Sequence, residues 1–189
     1  MGGLTVRLAV FDLDGTLLDS DDALRAPFAA LGVDPSTVPL GLPAAVACEL
    51  VGITLDDYVA HYDTTSVAPF PGVEAMVGRL DRWAVASNKT RASGQAEVAR
   101  LGWAPHVALF SEDFGGAEKS LDPVLDALGV AADEVVFVGD TDHDRACAAR
   151  SGVAFALAGW NPRARLGAKG DDLVLDHPRQ VLDLLGAPN

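Results

Sequence analysis

The chain has 189 residues, of which 49% are hydrophobic and 22% charged, a composition typical of a folded protein with one core. Its formal net charge is −13, and so acidic a surface repels nucleic-acid phosphates and anionic lipids, which excludes both as expected partners. The two cysteines, Cys48 and Cys147, lie far apart and have no metal-ligand spacing. This pattern predicts free thiols and a cytoplasmic protein.

The first predicted element is a buried strand over residues 6–11 (VRLAVF), which is mostly apolar, as the inner strands of parallel sheets are. Asp12 and Asp14 follow it, and Gly15 allows the chain to turn there. Open α/β sheets bind ligands at this end of their strands. Two carboxylates ~4 Å apart at an effective dielectric of ~20 repel each other by roughly 4 kcal/mol. The pair therefore indicates a site for a divalent cation.

The next segment, residues 19–70, contains no convincing strand. A connection of this length is typical of a functional insertion or a subdomain. We therefore predict a small helical cap at 19–70 and an α/β core formed by 1–18 and 71–189. An ordinary long helical excursion that packs on the sheet edge is the alternative. Helical patterns within the segment cover residues 20–31, 43–51 and 55–62.

The remainder of the chain alternates between apolar runs and helical patterns, which predicts an α/β fold with a doubly wound parallel sheet. Glycine stands directly after three of the helical patterns, where left-handed helix ends often place it. Strands are predicted at residues 83–87, 107–111, 135–139, 153–157 and 173–175. Helices are predicted at residues 72–80, 91–101, 123–128 and 144–151.

Polar residues stand at the ends of two of these later strands. Ser87 and Asn88 begin the helix that follows residues 83–86, where a hydroxyl and backbone amides could hold an oxyanion, although a plain helix cap is the alternative. Asp140, Asp142 and Asp144 follow the strand that ends at residue 139. Three acids so close together predict oxygen ligands for a hard cation. We expect Asp142 to act only as a helix N-cap.

These motifs, in this order, resemble those of the haloacid dehalogenase-like hydrolase superfamily, in its phosphoglycolate-phosphatase-like branch with a helical cap. Residues 12–16 (DLDGT) match the first motif of that family, and Ser87 matches the second. Lys119, one of only three lysines in the chain, matches the third, and Asp140 with Asp144 matches the fourth. The resemblance spans essentially the whole chain.

The resemblance implies a Mg²⁺-dependent phosphatase that acts on a small phosphorylated metabolite. Asp12 would be the catalytic nucleophile, which forms an aspartyl-phosphate. Asp14 would be the catalytic acid that protonates the leaving oxygen and then the base that activates water. Thr16 would orient Asp14 through a hydrogen bond.

The same resemblance implies which residues bind the phosphate and the metal. Ser87, Asn88 through its backbone amide, and Lys119 would hold the non-bridging oxygens of the phosphate. The Mg²⁺ ligands would be Asp12, the backbone carbonyl of Asp14, Asp140, and Asp144 directly or through water.

Other activities are also compatible with some of these motifs. Asp14 argues against a dehalogenase, which needs no leaving-group acid, and the absence of lysine from residues 19–70 closes the Schiff-base route to phosphonates. A sugar-phosphate mutase stays open, although Arg25 is the only Arg or Lys in the predicted cap. A receiver-like phospho-switch that binds a protein partner is the other alternative.

Substrate selectivity is expected to come from the cap. The candidates by residue type are Arg25, His61 and Tyr62. The protein is expected to be a monomer or a homodimer.

Overall fold

The computed structural model describes residues 6–115 and 119–185. Its strands are β1 (Leu8–Phe11), β2 (Leu18–Asp19), β3 (Ala68–Pro69), β4 (Trp83–Ala86), β5 (Val107–Leu109), β6 (Val135–Gly139), β7 (Ala154–Ala158) and β8 (Leu173–Leu175). Six of them form a parallel sheet in the order β5–β4–β1–β6–β7–β8. The predicted doubly wound α/β fold is thus confirmed.

Helices flank the strands along the described chain. They are α1 (Asp21–Ala30), α2 (Ala44–Val51), α3 (Leu55–His61), α4 (Val73–Val77), α5 (Arg91–Arg100), α6 (Asp122–Leu128), α7 (Asp142–Arg150), α8 (Pro162–Leu166) and α9 (Gln180–Leu184). None of these helices has both the length and the apolar character that crossing a bilayer requires. Four short elements were not predicted from the sequence: β2, β3, α8 and α9.

The central strand β1 is buried on both faces, as its continuous apolar sequence predicts. Leu8 and Val10 pack into the hydrophobic cluster on one face of the sheet, whereas Ala9 and Phe11 pack into the cluster on the other face. The carboxyl end of β1 therefore lies in the middle of the molecule's largest apolar region, and Asp12 is fixed there by a backbone hydrogen bond of 2.9 Å to Val138.

The helices α1, α2 and α3 have a hydrophobic cluster of their own, which is centred on Phe28 and Tyr58. The chain leaves and re-enters the sheet region through β2 and β3, which pair antiparallel. The predicted limits of the cap, residues 19 and 70, fall at this two-stranded ribbon. That residues 19–70 act as a cap over the site stays a prediction.

Candidate active site

The turn after β1 requires glycine at position 15. Gly15 has a φ of +76°, in the left-handed region that L side chains rarely adopt. A Cβ atom at this position would lie only 2.3 Å from Oδ2 of Asp140. The absence of a side chain therefore lets Asp140, which follows β6, approach the turn that carries Asp12 and Asp14.

Three buried carboxylates meet at the ends of the paired strands β1 and β6. Oxygen atoms of Asp12, Asp140 and Asp144 all lie within 4.8 Å of one another. Burial raises the pKa of Asp12 to about 7, against the effect of Lys119, and burial together with the charges of Asp144 and Asp12 raises the pKa of Asp140 well above its usual range. A cation would relieve this repulsion, and an all-oxygen donor set fits a hard divalent ion.

Lys119 joins two of these carboxylates. Its Nζ atom lies 2.7 Å from Oδ1 of Asp12 and 2.6 Å from Oδ1 of Asp144. Burial lowers the pKa of this ammonium group, but the charges of Asp12 and Asp144 outweigh burial and raise the pKa above its usual value. Lys119 therefore stays protonated, and we call Lys119, Asp12 and Asp144 the Lys119 cluster.

The other oxygen of Asp144 has a structural role. Its Oδ2 accepts hydrogen bonds from the backbone amides of Asp140 and Thr141 and from the Thr141 hydroxyl. The N-cap of α7 is Thr141, whose hydroxyl accepts a hydrogen bond from the Asp144 amide. The prediction that Asp142 is the N-cap was therefore wrong, because the helix already begins at that residue.

Ser87 and Asn88 follow β4 and lie in the same pocket as Asp12 and Lys119. Ser87 is buried, and its hydroxyl oxygen accepts a hydrogen bond from the backbone amide of Lys89. The Asn88 side chain donates from Nδ2 to the carbonyl of Gly41, in the connection between α1 and α2. The predicted phosphate-binding residues are thus brought together, and their binding role stays a prediction.

Asp14 lies in a second buried cluster that the sequence analysis missed. Nζ of Lys89 is 2.8 Å from Oδ1 of Asp14, 3.1 Å from Oε2 of Glu97 and 2.7 Å from the Tyr62 hydroxyl. The Tyr62 hydroxyl also donates to Oε1 of Glu97 at 2.7 Å. Burial raises the pKa of Glu97 to about 7, against the lowering effect of Lys89. We call these four residues the Lys89 cluster.

One sequence signal for this cluster was available. Ser93, Gly94, Glu97 and Val98 form the buried face of α5, so an acidic side chain stands at a core position. Such a residue requires a partner. The scarcity of lysine and the position of Lys89 beside Asn88 point to that partner.

The surroundings of Asp140 differ from the prediction. The Thr16 hydroxyl donates to Oδ1 of Asp140 at 3.3 Å and is not bonded to Asp14, so its predicted role was wrong. Oδ2 of Asp140 lies 2.6 Å from Nη2 of Arg163, whose guanidinium also binds Asp21. Arg163 was missed because α8 had no recognisable pattern, although its position just after β7 is a strand end like the others.

Most of these side chains, but not Thr16, Glu97, Asp140 or Arg163, line an open pocket of about 690 Å³, a volume that includes the solvent-filled mouth. Of the three predicted selectivity residues, Tyr62 lines it. The Arg25 guanidinium instead donates to the carbonyl of Pro35, and the exposed His61 ring contacts the carbonyl of Asp57. Among the lining residues are the predicted Asp12, Asp14, Ser87, Asn88, Lys119 and Asp144.

Comparison with known proteins identifies relatives by sequence. The family model described as haloacid dehalogenase-like hydrolase matches residues 41–158, more than half of the chain. A phosphoglycolate phosphatase from Xanthomonas campestris is 28% identical over 211 residues, which cover 93% of this chain and 91% of that protein. An N-acetylmuramic acid 6-phosphate phosphatase from Pseudomonas aeruginosa is 25% identical and covers 98% of this chain and 97% of that protein.

Solved structures are similar in fold. A hydrolase of the haloacid dehalogenase-like family from Streptococcus pneumoniae superposes with a TM-score of 0.71 at 19% sequence identity. The match covers 95% of this chain and 98% of that one. The fold match therefore extends over nearly all of both chains.

Proposed function

Because the chain belongs to the haloacid dehalogenase-like hydrolase family, we propose that it is a Mg²⁺-dependent phosphatase that cleaves a small phosphorylated metabolite through an aspartyl-phosphate. The proposal is carried by one observation, the convergence of Asp12, Asp140, Asp144 and Lys119 from three separate stretches of the chain. Its relatives include a phosphoglycolate phosphatase. The protein would act in the cytoplasm as a monomer or homodimer, without nucleic-acid or membrane partners.

Asp12 is the nucleophile in this proposal. Its carboxylate attacks phosphorus, the P–O bond to the alcohol breaks, and the phosphoryl group is transferred to Asp12. The Lys119 ammonium, 2.7 Å from Asp12, stabilises negative charge on the non-bridging oxygens of the transferring group. Ser87 and the backbone amide of Asn88, at the start of the connection to α5, would contribute further donors.

Asp14 transfers the protons. It protonates the departing alcohol oxygen and then accepts a proton from the water that hydrolyses the aspartyl-phosphate. The side chain of Asp14 is 15% exposed and is held by Lys89 at 2.8 Å. Lys89 thus fixes the orientation of the acid, and the pocket leaves Asp14 accessible to water.

The acidic residues would hold the metal. Asp12, Asp140 and the backbone carbonyl of Asp14 are the proposed direct ligands. Asp144 would contribute directly or through water; its Oδ1 contacts Lys119 and its Oδ2 accepts three hydrogen bonds. When bound, Mg²⁺ supplies positive charge that offsets the repulsion between a carboxylate nucleophile and an anionic phosphate.

The test is the release of phosphate from p-nitrophenyl phosphate by the purified protein, with and without Mg²⁺. Sustained turnover that requires Mg²⁺ and is lost in Asp12→Asn supports the phosphatase. One stable equivalent of phosphoprotein, with no turnover, would instead support the receiver-like switch. Transfer of phosphate from a sugar bisphosphate to a second sugar phosphate, in place of release, would support the mutase.

A further inference from the structure

We propose that the leaving group of the physiological phosphate ester is uncharged and largely apolar. This inference rests on the proposed function and deepens it by naming the chemical class of the substrate. It is drawn from the part of the pocket that residues 19–70 line and from the ion pairs that the two lysines beside it already make.

The lining that residues 19–70 contribute carries no charge. Except for one glycine and two tyrosines, it consists of aliphatic, proline and phenylalanine side chains, such as Leu24, Phe28 and Leu42. Arg25, the only Arg or Lys in this range, lies outside the lining and donates to the carbonyl of Pro35. A leaving group in contact with this surface gains free energy from burial of its apolar area and finds no opposite charge.

The polar groups of this lining are engaged within the protein. The Tyr58 hydroxyl donates to the carbonyl of Leu24 at 3.3 Å, and the Tyr62 hydroxyl donates to Glu97. The Asn88 amide is oriented by its bond to Gly41, because a carbonyl can only accept. Oδ1 of Asn88 is consequently a buried acceptor, and it has no hydrogen-bond partner within the described residues. Because this atom is almost fully buried, it offers a leaving group no accessible polar contact.

The cations of the pocket are already paired. Among the described lining residues these are Lys119 and Lys89. Lys119 contacts Asp12 and Asp144 and also donates to the carbonyl of Ala86, and in the proposed function its charge is assigned to the phosphate. Lys89 is almost fully buried and contacts two carboxylates and a tyrosine hydroxyl.

A second anion on the substrate would therefore enter a site where acidic groups outnumber basic ones. Burial of a charge without a partner is strongly unfavourable. Uncharged leaving groups avoid this cost and gain the apolar contact. The structure thus separates this protein's expected substrate from phosphoglycolate, the substrate in the name of its relative, whose leaving group is glycolate and carries a carboxylate.

The experiment compares two esters that differ in charge at one position, 4-carbamoylphenyl phosphate and 4-carboxyphenyl phosphate, at saturating Mg²⁺. The two are nearly equal in size, so the comparison reports charge. We expect kcat/KM for the amide to exceed that for the carboxylate by about tenfold or more, the ratio that a modest uncompensated burial of charge produces. The small pair, 2-phosphoglycolamide and 2-phosphoglycolate, should show the same order.

A matched pair of variants tests whether the discrimination against charge arises at the apolar lining. Leu42→Lys places a cation in the lining, and Leu50→Lys places one on α2, at a position that is 63% exposed and outside the lining. The amide-to-carboxylate ratio should fall about tenfold in Leu42→Lys and stay at the wild-type value in Leu50→Lys. An equal fall in both variants would show a general charge effect and overturn the assignment to this surface.

The outcomes separate this inference from the proposed function. Turnover of p-nitrophenyl phosphate with equal or better kcat/KM for the carboxylate esters would overturn the inference and leave the phosphatase intact. Failure to hydrolyse any of the esters in Mg²⁺ would overturn the proposed function itself and the inference that depends on it.

Discussion

The two buried lysines of the pocket each contact two carboxylates, but the residues of the two clusters come from different parts of the fold. Lys119 contacts Asp12 and Asp144, which follow the neighbouring strands β1 and β6. Lys89 contacts Asp14, Glu97 of α5 and Tyr62, which follows α3. The first cluster thus lies wholly within the part of the chain outside residues 19–70, at the ends of β1 and β6 and the start of α7. The second also depends on how residues 19–70 lie against the sheet.

The largest effect is expected from the nucleophile. Asp12→Asn should lower kcat by roughly 10⁴-fold or more, because an amide cannot form the covalent intermediate. Single-turnover assays with a phosphate ester should detect no hydroxylamine-labile phosphoprotein in this variant. An Asp12→Asn protein that keeps more than a tenth of the wild-type kcat would show that Asp12 is not the nucleophile.

Loss of the Lys119 ammonium is expected to have the next largest effect. Lys119→Met should lower kcat by about 10²–10³-fold, the range for removal of one group that stabilises transition-state charge. The matched control is Lys169→Met, which removes a lysine whose side chain is 53% exposed. Near-normal kcat in Lys119→Met would show that a group other than Lys119 supplies the positive charge that binds the phosphate.

The Lys89 cluster should affect the step in which the leaving group is protonated. Lys89→Met should lower kcat by about 10- to 100-fold for an alkyl phosphate, because Asp14 loses the partner that orients it. p-Nitrophenolate leaves without protonation, so turnover of p-nitrophenyl phosphate should fall much less. Equal losses for both esters would assign Lys89 a structural role only.

A double variant controls for folding. Lys89→Met alone leaves Glu97 buried beside no cation, which is strongly destabilising. Adding Glu97→Gln removes that unpaired charge and should recover thermal stability, while the difference between the alkyl and p-nitrophenyl esters persists. Recovery of both stability and alkyl phosphatase activity would contradict the positioning role.

The smallest expected effect is on how the free energy of unfolding depends on pH. Since burial raises the pKa of Glu97 to about 7, above its ordinary value, the folded state binds this proton more tightly than the unfolded state does. The corresponding stabilisation is present in acid and is lost as the pH rises toward about 7. The free energy of unfolding should therefore fall less between pH 5 and pH 8 in Glu97→Gln than in the wild type.

The control for this measurement is Glu74→Gln, which changes an exposed acid on α4 and should keep the wild-type slope. Urea denaturation at each pH, without Mg²⁺, provides the free energies. A Glu97→Gln slope equal to that of the wild type would show that Glu97 keeps its charge throughout this range.

The sequence predicted the residues of the Lys119 cluster but not the Lys89 cluster. The strand ends that carry Asp12 and Asp140 were found because buried parallel strands leave a strong apolar signal and their carboxyl ends share one edge of the sheet. Lys119 was found because lysine is scarce in the chain and because it matches the third motif of the family. The Lys89 cluster was missed because Tyr62 and Glu97 meet only through packing of separate helices. No spacing along the chain encodes that contact.

The same limit explains the smaller errors. Asp142 was predicted as the N-cap since acids favour that position, but the neighbouring threonine has the extended backbone that a cap needs. Thr16 was assigned to Asp14, its near neighbour in sequence, whereas its hydroxyl donates to Asp140, which follows β6. Local preference and sequence proximity give way to tertiary contacts in both cases.

The ribbon of β2 and β3 has a mechanical consequence. It joins residues 19–70 to the rest of the molecule through two adjacent tethers of two residues each, paired to one another. Such a double tether permits the helices to tilt as a unit but resists their sliding across the sheet. A tilt would part Tyr62 from Lys89 and leave Lys119 with both its carboxylates, so the phosphate end of the pocket would stay assembled while the end for the alcohol opens.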